Sequence, residues 1–229
     1  MKKLIIMALL GIACTVSGQE KEEIIKKELR FKTESSENLL VIENIFGNIE
    51  MIGYEGNSIQ VEVQKKVSAK SQQELEKGLE EVDLAIFEKE DFKVLYMKSP
   101  CSLDPSEDLS REDLDVNWNF QCDNYCKWKP NYDYQFDFKV KVPSNLNVQV
   151  ATINDGEVSI TKVFGSIRAN NINGGITLND IAGPTFASTI NGDVNIIYRN
   201  NPNDASRYYT LNGDINLLLS AKAAQRNAQ

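Results

Sequence analysis

Glycine recurs every nine residues through the second half of the chain, and this spacing constrains the fold more than any other feature. The glycines stand at positions 156, 165, 174, 183 and 192, and Gly213 continues the series after three extra residues. Apolar and polar residues alternate after most of these glycines, as in Val194-Asn195-Ile196. Alternation with a period of two predicts short β-strands, and the glycines predict turns between them.

The turns alternate in type, so the repeat covers eighteen residues. Every second turn is an Asn-Gly pair, at 173–174, 191–192 and 212–213. This length suits a flattened β-solenoid with two strands per coil, in which equal turns stack at about 4.8 Å and Asn and Gly supply positive φ angles. An antiparallel meander with Asn-Gly hairpins is the alternative. The solenoid is favoured because a meander gives no reason for every second turn to be alike.

The first eighteen residues have the pattern of a secretory signal peptide. Lys2 and Lys3 precede an apolar run from Leu4 to Ala13, and small residues lead to a cleavage site before Gln19. The alternative is an outer-membrane lipoprotein acylated at Cys14, although Gly11 stands where a lipobox has a large aliphatic residue. We therefore expect an exported protein that is periplasmic, on the cell surface or secreted. A membrane is expected as a partner only if Cys14 carries a lipid.

The repeat pattern also opens the mature chain, between Asn44 and Met51. The segment from Glu43 to Lys65, the passage from Val140 to Val150 and the Asn-Gly repeats together resemble the bacterial "putative adhesin" family of unknown function, which is similar to the head-GIN adhesin domains. The resemblance covers nearly all of residues 38–217. It implies a right-handed β-helix-like fold at the cell envelope and no catalytic residues. The family pattern continues beyond Leu219 and this sequence does not, which predicts an exposed sheet edge.

A helix and an inserted loop separate the two repeat blocks. Ser71-Gln72-Gln73-Glu74 matches a capping box, and Leu75, Leu79 and Val82 follow with helical spacing. Residues 99–133 hold both tryptophans and eight acids. Apolar and polar residues alternate at 116–122 and again at 132–142, which predicts a long hairpin with its tip at 123–131. A single β-solenoid domain at 19–219 with a flexible tail at 220–229 is therefore expected.

The loop contains the three cysteines of the expected mature chain, which predicts one disulfide and one free thiol in an exported protein. Cys101 with Cys122 or Cys126 is favoured, because either bridge would tether the loop. A bridge between Cys122 and Cys126 would close only a small ring.

Aromatic side chains in the loop are the candidate ligand-binding residues: Trp118, Tyr125, Trp128 and Tyr132. Flat rings beside carboxylates suit the faces and hydroxyls of sugars. The alternative is a small satellite core, with Trp118 buried and with Tyr125 and Trp128, at the tip, exposed.

Metal binding is not favoured. Glu157, Asp193 and Asp214 follow turn glycines and could line a calcium site, but the doubled glycines of calcium-binding repeats are missing. Three thiols and a carboxylate could bind zinc, yet their spacing is irregular and the compartment is oxidising. We expect no metal and no cofactor.

The composition excludes several classes of function. The chain has no histidine, so imidazole-based catalysis and histidine-ligated zinc are absent. Its net charge of −8 over 229 residues repels nucleic acid. We expect a non-enzymatic envelope protein, an adhesin or structural module that binds an envelope component or a glycan. The alternative is a polysaccharide-processing enzyme on the same scaffold.

Overall fold

The computed structural model describes residues 18–100, 102, 109–111, 114 and 128–220. These residues form one helix, α1 (Gln72–Glu81), and fifteen strands. The strands before and after the helix are β1 (Gln19–Leu29), β2 (Leu39–Glu43), β3 (Ile49–Tyr54), β4 (Ile59–Ala69), β5 (Asp83–Glu88), β6 (Phe92–Lys98), β7 (Tyr132–Pro143), β8 (Asn147–Thr152), β9 (Val158–Thr161), β10 (Ile167–Asn171), β11 (Ile176–Ile181), β12 (Thr185–Asn191), β13 (Val194–Tyr198), β14 (Arg207–Asn212) and β15 (Ile215–Leu218). The predicted all-β class is confirmed.

The strands form two mixed sheets. The first sheet has eight strands in the order β1-β4-β7-β3-β9-β11-β13-β15, and the second has seven in the order β14-β12-β10-β8-β2-β6-β5. Pairs β1–β4, β4–β7 and β5–β6 are antiparallel, and the other neighbours are parallel. The antiparallel strands therefore lie at one end of each sheet.

Parallel pairing in the second half follows the repeat read from the sequence. Ile176 is the partner of Val158 and of Val194, eighteen positions before and after it. Val194 is in turn the partner of Ile215, where the sequence has three extra residues. The strands from β8 to β15 have parallel neighbours, which excludes the antiparallel meander for this part of the chain.

The first repeat block joins the same stacks. Ile49 of β3 is the partner of Val158 of β9, and Leu40 of β2 is the partner of Val148 of β8. Residues 44–51 resemble the later repeats in sequence because they occupy equivalent positions in the same two sheets. Inward side chains from both sheets form one continuous core, which includes Ile42, Met51, Val150, Ile160, Leu178 and Ile196.

The turn glycines are needed because neighbouring backbones approach closely. A Cβ at Gly156 would lie 1.8 Å from the Gly47 carbonyl oxygen, and one at Gly174 would lie 2.0 Å from the Gly156 oxygen. An added Cβ would likewise lie 2.4 Å from the Gly174 oxygen at Gly192 and 2.1 Å from the Gly192 oxygen at Gly213. The prediction that these turns need glycine for positive φ was therefore wrong for most of them, since Gly47 and Gly192 are the positive-φ glycines among the described residues.

The helix begins and packs as the sequence predicted. The Ser71 side chain accepts a hydrogen bond from the Glu74 backbone N–H, and Leu75 and Val82 are buried. Gly78 faces β4 and β7, where an added Cβ would lie 2.7 Å from Val67. The helix therefore braces the antiparallel end of the first sheet.

Strand β7 corresponds to the second strand of the predicted hairpin, but it pairs with strands from the first half of the chain. Strand β7 pairs with β4 on one side and with β3 on the other. The expected first strand, near residues 116–122, lies outside the described residues. Strand β1 was not predicted, because its charged sequence lacks a strong apolar alternation. Its salt bridges with β4 include Lys26–Glu62 at 2.9 Å.

Two described residues of the inserted segment lie against the outer face of the second sheet. Leu114 is fully buried there among Leu39, Val41 and Val94, and Leu109 packs against the same cluster. The Gln149 side-chain amide donates to the Leu114 carbonyl oxygen at 3.2 Å. This small second core explains why every residue of β2 is buried.

The last strands of both sheets are exposed. Val194 and Ile196 are buried, whereas their partners Ile215 and Leu217 are 43% and 42% exposed. Strands β14 and β15 each have a neighbour on one side within the described residues. The sequence-based expectation of an exposed edge after Leu219 agrees with this end.

Candidate functional site

Two of the four predicted ligand-binding aromatics lie together beside the helix. Trp128 stacks on Tyr134 with ring centroids 5.7 Å apart, and it lies 6.3 Å from Tyr132. Phe46 meets Tyr134 edge to face at 5.2 Å. Tyr132 is only 5% exposed, while Trp128 and Tyr134 are half-buried. The cluster belongs largely to the packing between α1 and β7.

A carboxylate joins the aromatic cluster to the helix. Glu81 Oε2 accepts hydrogen bonds from the Tyr132 hydroxyl at 2.6 Å and from Trp128 Nε1 at 3.2 Å. The Tyr132 hydrogen bond lowers the pKa of the Glu81 carboxyl, with a smaller lowering from Trp128, against the opposing effect of burial. Burial, followed by the contact with Glu81, raises the pKa of Tyr132.

The remaining predicted site residues lie outside the described residues. These are Trp118, Tyr125, the disulfide candidates Cys101, Cys122 and Cys126, and the lipidation candidate Cys14. The signal peptide lies there too except for Gly18, as does the predicted tail after Ser220. Ligand contact by the four aromatics and the disulfide pairing stay predictions. No helix in the described part of the chain is both long and apolar enough to span a bilayer.

The turn acids Glu157, Asp193 and Asp214 take part in hydrogen bonds between successive turns. Asp193 Oδ1 accepts from the Asp214 backbone N–H at 2.9 Å, and Asn48 Oδ1 accepts from the Glu157 backbone N–H at the same distance. Within the described ranges, no three acidic, cysteine or histidine residues are grouped closely enough to hold a metal ion.

Asparagine side chains form a ladder along the turns. Asn173 donates to Asn154, Asn191 to Asn173 and Asn212 to Asn191, each with 2.8 Å between nitrogen and oxygen. An aliphatic row precedes this asparagine ladder by one position, and its members Ile153, Ile172, Ile190 and Leu211 are exposed. The turns thus present one polar row and one apolar row at regular spacing.

A concave surface with three arginines lies on the outer face of the second sheet, and we call it the arginine cavity. It encloses about 430 Å³ and includes Arg111, Gln149, Arg168, Phe186 and Arg207 among its lining residues. Pairing places Arg168 beside Phe186, and Phe186 beside Arg207, on adjacent parallel strands. The Arg168 guanidinium carbon lies 5.5 Å from the centre of the Phe186 ring.

Arg111 reaches the arginine cavity from the inserted segment. One of its terminal nitrogens donates to the Glu37 carbonyl oxygen and lies 4.0 Å from Asp91 Oδ2. These contacts orient the side chain. Guanidinium groups present paired N–H donors that match the oxygens of carboxylates, sulfates and phosphates.

Comparison with solved structures identifies a protein of similar fold. It is a putative cell adhesion protein from Clostridium sporogenes ATCC 15579, with a TM-score of 0.50 and 10% sequence identity. The match covers 88% of this chain and 100% of that protein. No family model and no curated protein matches the sequence. At this identity the similarity shows the fold alone.

The arginine cavity was missed because its basic residues are far apart in the sequence. Arg168 and Arg207 are 39 positions apart, and Arg111 lies in the inserted segment. The eighteen-residue repeat contained a usable signal, since Gln149, Arg168, Phe186 and Arg207 occupy one row of the second sheet. Aligning the repeats by their turns would have placed the two arginines on either side of the phenylalanine.

Proposed function

We propose that this chain is a non-enzymatic, exported protein of the cell envelope that acts as an adhesin-type binding module for an envelope component or a glycan. The arginine cavity is the observation that carries the proposal. It is a concave surface on the second sheet, and it combines an exposed aromatic ring with several hydrogen-bond donors. Such a surface suits binding, because few side chains need to be ordered when a ligand arrives.

The similar solved structure gives separate support. A protein called a putative cell adhesion protein has the same overall fold. Adhesion is consistent with the exposed rows of the turns, where polar and apolar side chains repeat at a fixed spacing. We also propose that the chain belongs to the "putative adhesin" family that its sequence resembles. Its proposed ligand is an envelope component or a glycan.

The proposal extends to the form of the stacks, as a right-handed β-solenoid with two strands per eighteen-residue coil. Parallel partners separated by eighteen positions support it, as does the asparagine ladder. Equal turns that lie above one another explain why glycine recurs, since Gly174, Gly192 and Gly213 each lie against the carbonyl of the turn glycine one coil earlier. Residues 19–219 would then be one domain.

We further propose that residues 1–18 are a signal peptide that directs export and is cleaved before Gln19. The alternative is that Cys14 is acylated and anchors the protein in the outer membrane. Expression of the full chain and of the C14S variant in a bacterial host, followed by fractionation and palmitate labelling, tests both routes. Release of the mature chain without label supports signal-peptide cleavage. Retention in the cytoplasm would contradict export.

Binding without catalysis is tested with the purified full chain. We expect retention on a subset of a glycan array and no increase in reducing ends when the retained glycan is incubated with the protein. New reducing ends would support the polysaccharide-processing alternative. A bovine serum albumin sample treated in the same way controls for passive retention. Failure to bind any glycan or isolated envelope fraction would overturn the proposed function.

A further inference from the structure

We infer that the arginine cavity binds an acidic saccharide, a glycan whose sugar units carry carboxylate or sulfate groups. This inference rests on the proposed function and names the ligand class for that surface. The first observation is a group of positive charges: three arginines line this cavity, although the net charge of the chain is −8.

The geometry of the sheet sets the spacing of the donors. Arg168, Phe186 and Arg207 lie on three successive parallel strands. Neighbouring strands are about 4.8 Å apart, so the two arginine Cα positions are separated by roughly 10 Å. Anionic groups on successive units of one glycan can therefore reach both guanidinium groups at the same time.

The aromatic ring between the arginines favours a sugar as the carrier of the anion. Phe186 is 37% exposed, and its ring already lies against the Arg168 guanidinium. A flat ring provides an apolar surface for the C–H face of a pyranose, while the flanking guanidinium groups bind oxyanions through paired hydrogen bonds. A small inorganic anion would leave this ring uncovered.

Two other classes of anionic ligand fit less well. An acidic peptide commonly binds by adding a strand to a sheet edge, which here is β14 with Arg207, but Arg168 and Phe186 lie on the interior strands β10 and β12 and would not be covered by such a strand. A nucleic acid carries a dense row of phosphates, which the overall negative charge of the protein repels. A glycan offers pyranose faces to the Phe186 ring beside its anionic groups, and it can lie along the outer face of the sheet.

The side chains of the cavity differ in how they are held. Arg111 is fixed by Glu37 and Asp91, and the Gln149 amide is fixed by the Leu114 carbonyl. Arg207 is exposed and Arg168 is half-buried. The ligand is therefore expected to contact one pre-oriented wall and to order the exposed side chain of Arg207 on binding.

Polygalacturonate, which carries carboxylates, and dextran sulfate, which carries sulfate esters, are the probes for the test. Uncharged dextran and a single-stranded oligonucleotide are the comparison ligands. We expect calorimetric titration of the full chain to detect one or both acidic polysaccharides, with weaker binding at higher salt. The polysaccharide that binds more tightly identifies the preferred anionic group.

The variants R168Q and R207Q should each weaken this binding at least tenfold, because each removes one charge-assisted contact. The control is R30Q, which removes an exposed, ion-paired arginine on another part of the molecule and should leave binding unchanged. Circular dichroism checks that the variants are folded. Since Arg207 is exposed, R207Q tests the inference even if R168Q fails to fold.

Three results would overturn the inference. They are binding of neither acidic polysaccharide, an equal loss in R30Q, and binding of the oligonucleotide as tight as that of the polysaccharides. If an uncharged glycan from the array binds the wild type and the R168Q,R207Q double variant equally, the proposed function stands and the acidic-saccharide inference fails.

Discussion

Gly156 lies so close to Gly47 that a Cβ on Gly156 would be 1.8 Å from the Gly47 carbonyl oxygen. The two residues are more than one hundred positions apart in the sequence, yet they occupy successive turns of one stack. The same carbonyl also accepts a hydrogen bond from Thr152 Oγ1 at 3.0 Å. The carbonyl oxygens of Gly156, Gly174 and Gly192 likewise accept side-chain hydrogen bonds, so these turns combine close backbone contact with a hydrogen bond.

Gly174→Ala should destabilise the fold by about 3 kcal/mol, because its Cβ would lie 2.0 Å from the Gly156 carbonyl oxygen and the backbones would have to separate. The matched control is Gly175→Ala. There an added Cβ first meets the flexible Glu157 side chain at 2.7 Å, so a loss below about 1 kcal/mol is expected. Urea unfolding measures both. Equal losses would contradict the close contact as the reason for the glycine.

Thr189→Val should cost about 1–3 kcal/mol in the free energy of unfolding. Thr189 is fully buried, and its hydroxyl donates to the Gly174 carbonyl oxygen at 2.8 Å. Valine preserves the shape but leaves this oxygen without its donor. Thr177→Val, on an exposed position of β11, should change the stability by less than about 0.5 kcal/mol. A neutral effect at position 189 would show that the turn carbonyl has another donor.

Asn171→Thr should raise the free energy of unfolding by about 1 kcal/mol. Asn171 occupies the row of Thr152 and Thr189, and its amide donates to the Gly156 carbonyl oxygen at 2.8 Å. Its Oδ1 atom is buried without a hydrogen-bond partner in the structure. Threonine retains a donor and removes the unsatisfied oxygen. In thermal unfolding, Asn171→Ala should melt at a lower temperature than the wild type. A threonine variant that is no more stable than the alanine variant would refute this explanation.

The repeat could be predicted from sequence because it is a local signal. Glycine spacing and alternation placed strands β9 to β13 and β15, and Ser71 with Glu74 placed the start of the helix. The reason for the glycines could not be derived, since the contact between Gly156 and Gly47 joins distant parts of the chain. Residue patterns show which backbone is needed at a position but do not show which neighbour approaches it.

The arginine cavity depends on pairing between strands and on the inserted segment. Arg168 and Arg207 come together only through the register of β10, β12 and β14. Leu114 packs on the second sheet through isolated contacts that carry no periodic signal. The aromatic candidates were found by residue type, but the hydrogen bond from Tyr132 to Glu81 could not be predicted without the position of the helix.

Ile196→Ala should cost about 2–5 kcal/mol, as expected when a large buried side chain is removed from a core. Ile196 is 1% exposed, whereas its partner Leu217 in the last strand is 42% exposed. Leu217→Ala should therefore cost less than about half as much. Chemical denaturation of the two variants at several protein concentrations provides the comparison. A loss at position 217 as large as that at 196 would mean that this end is covered in solution.

Tyr132→Phe should reduce stability more at pH 7 than at pH 3. The Tyr132 hydroxyl lowers the pKa of the folded-state Glu81 carboxyl from its ordinary 4.5, so this contact stabilises the fold above that pH, and the stabilisation is lost as the pH falls through the folded-state pKa. Urea unfolding at both pH values measures the difference. The control is Tyr198→Phe, which loses a hydroxyl bonded to the neutral hydroxyl groups of Tyr208 and Ser206 and should have the same effect at both pH values. A Tyr132→Phe effect independent of pH would exclude the charged hydrogen bond to Glu81.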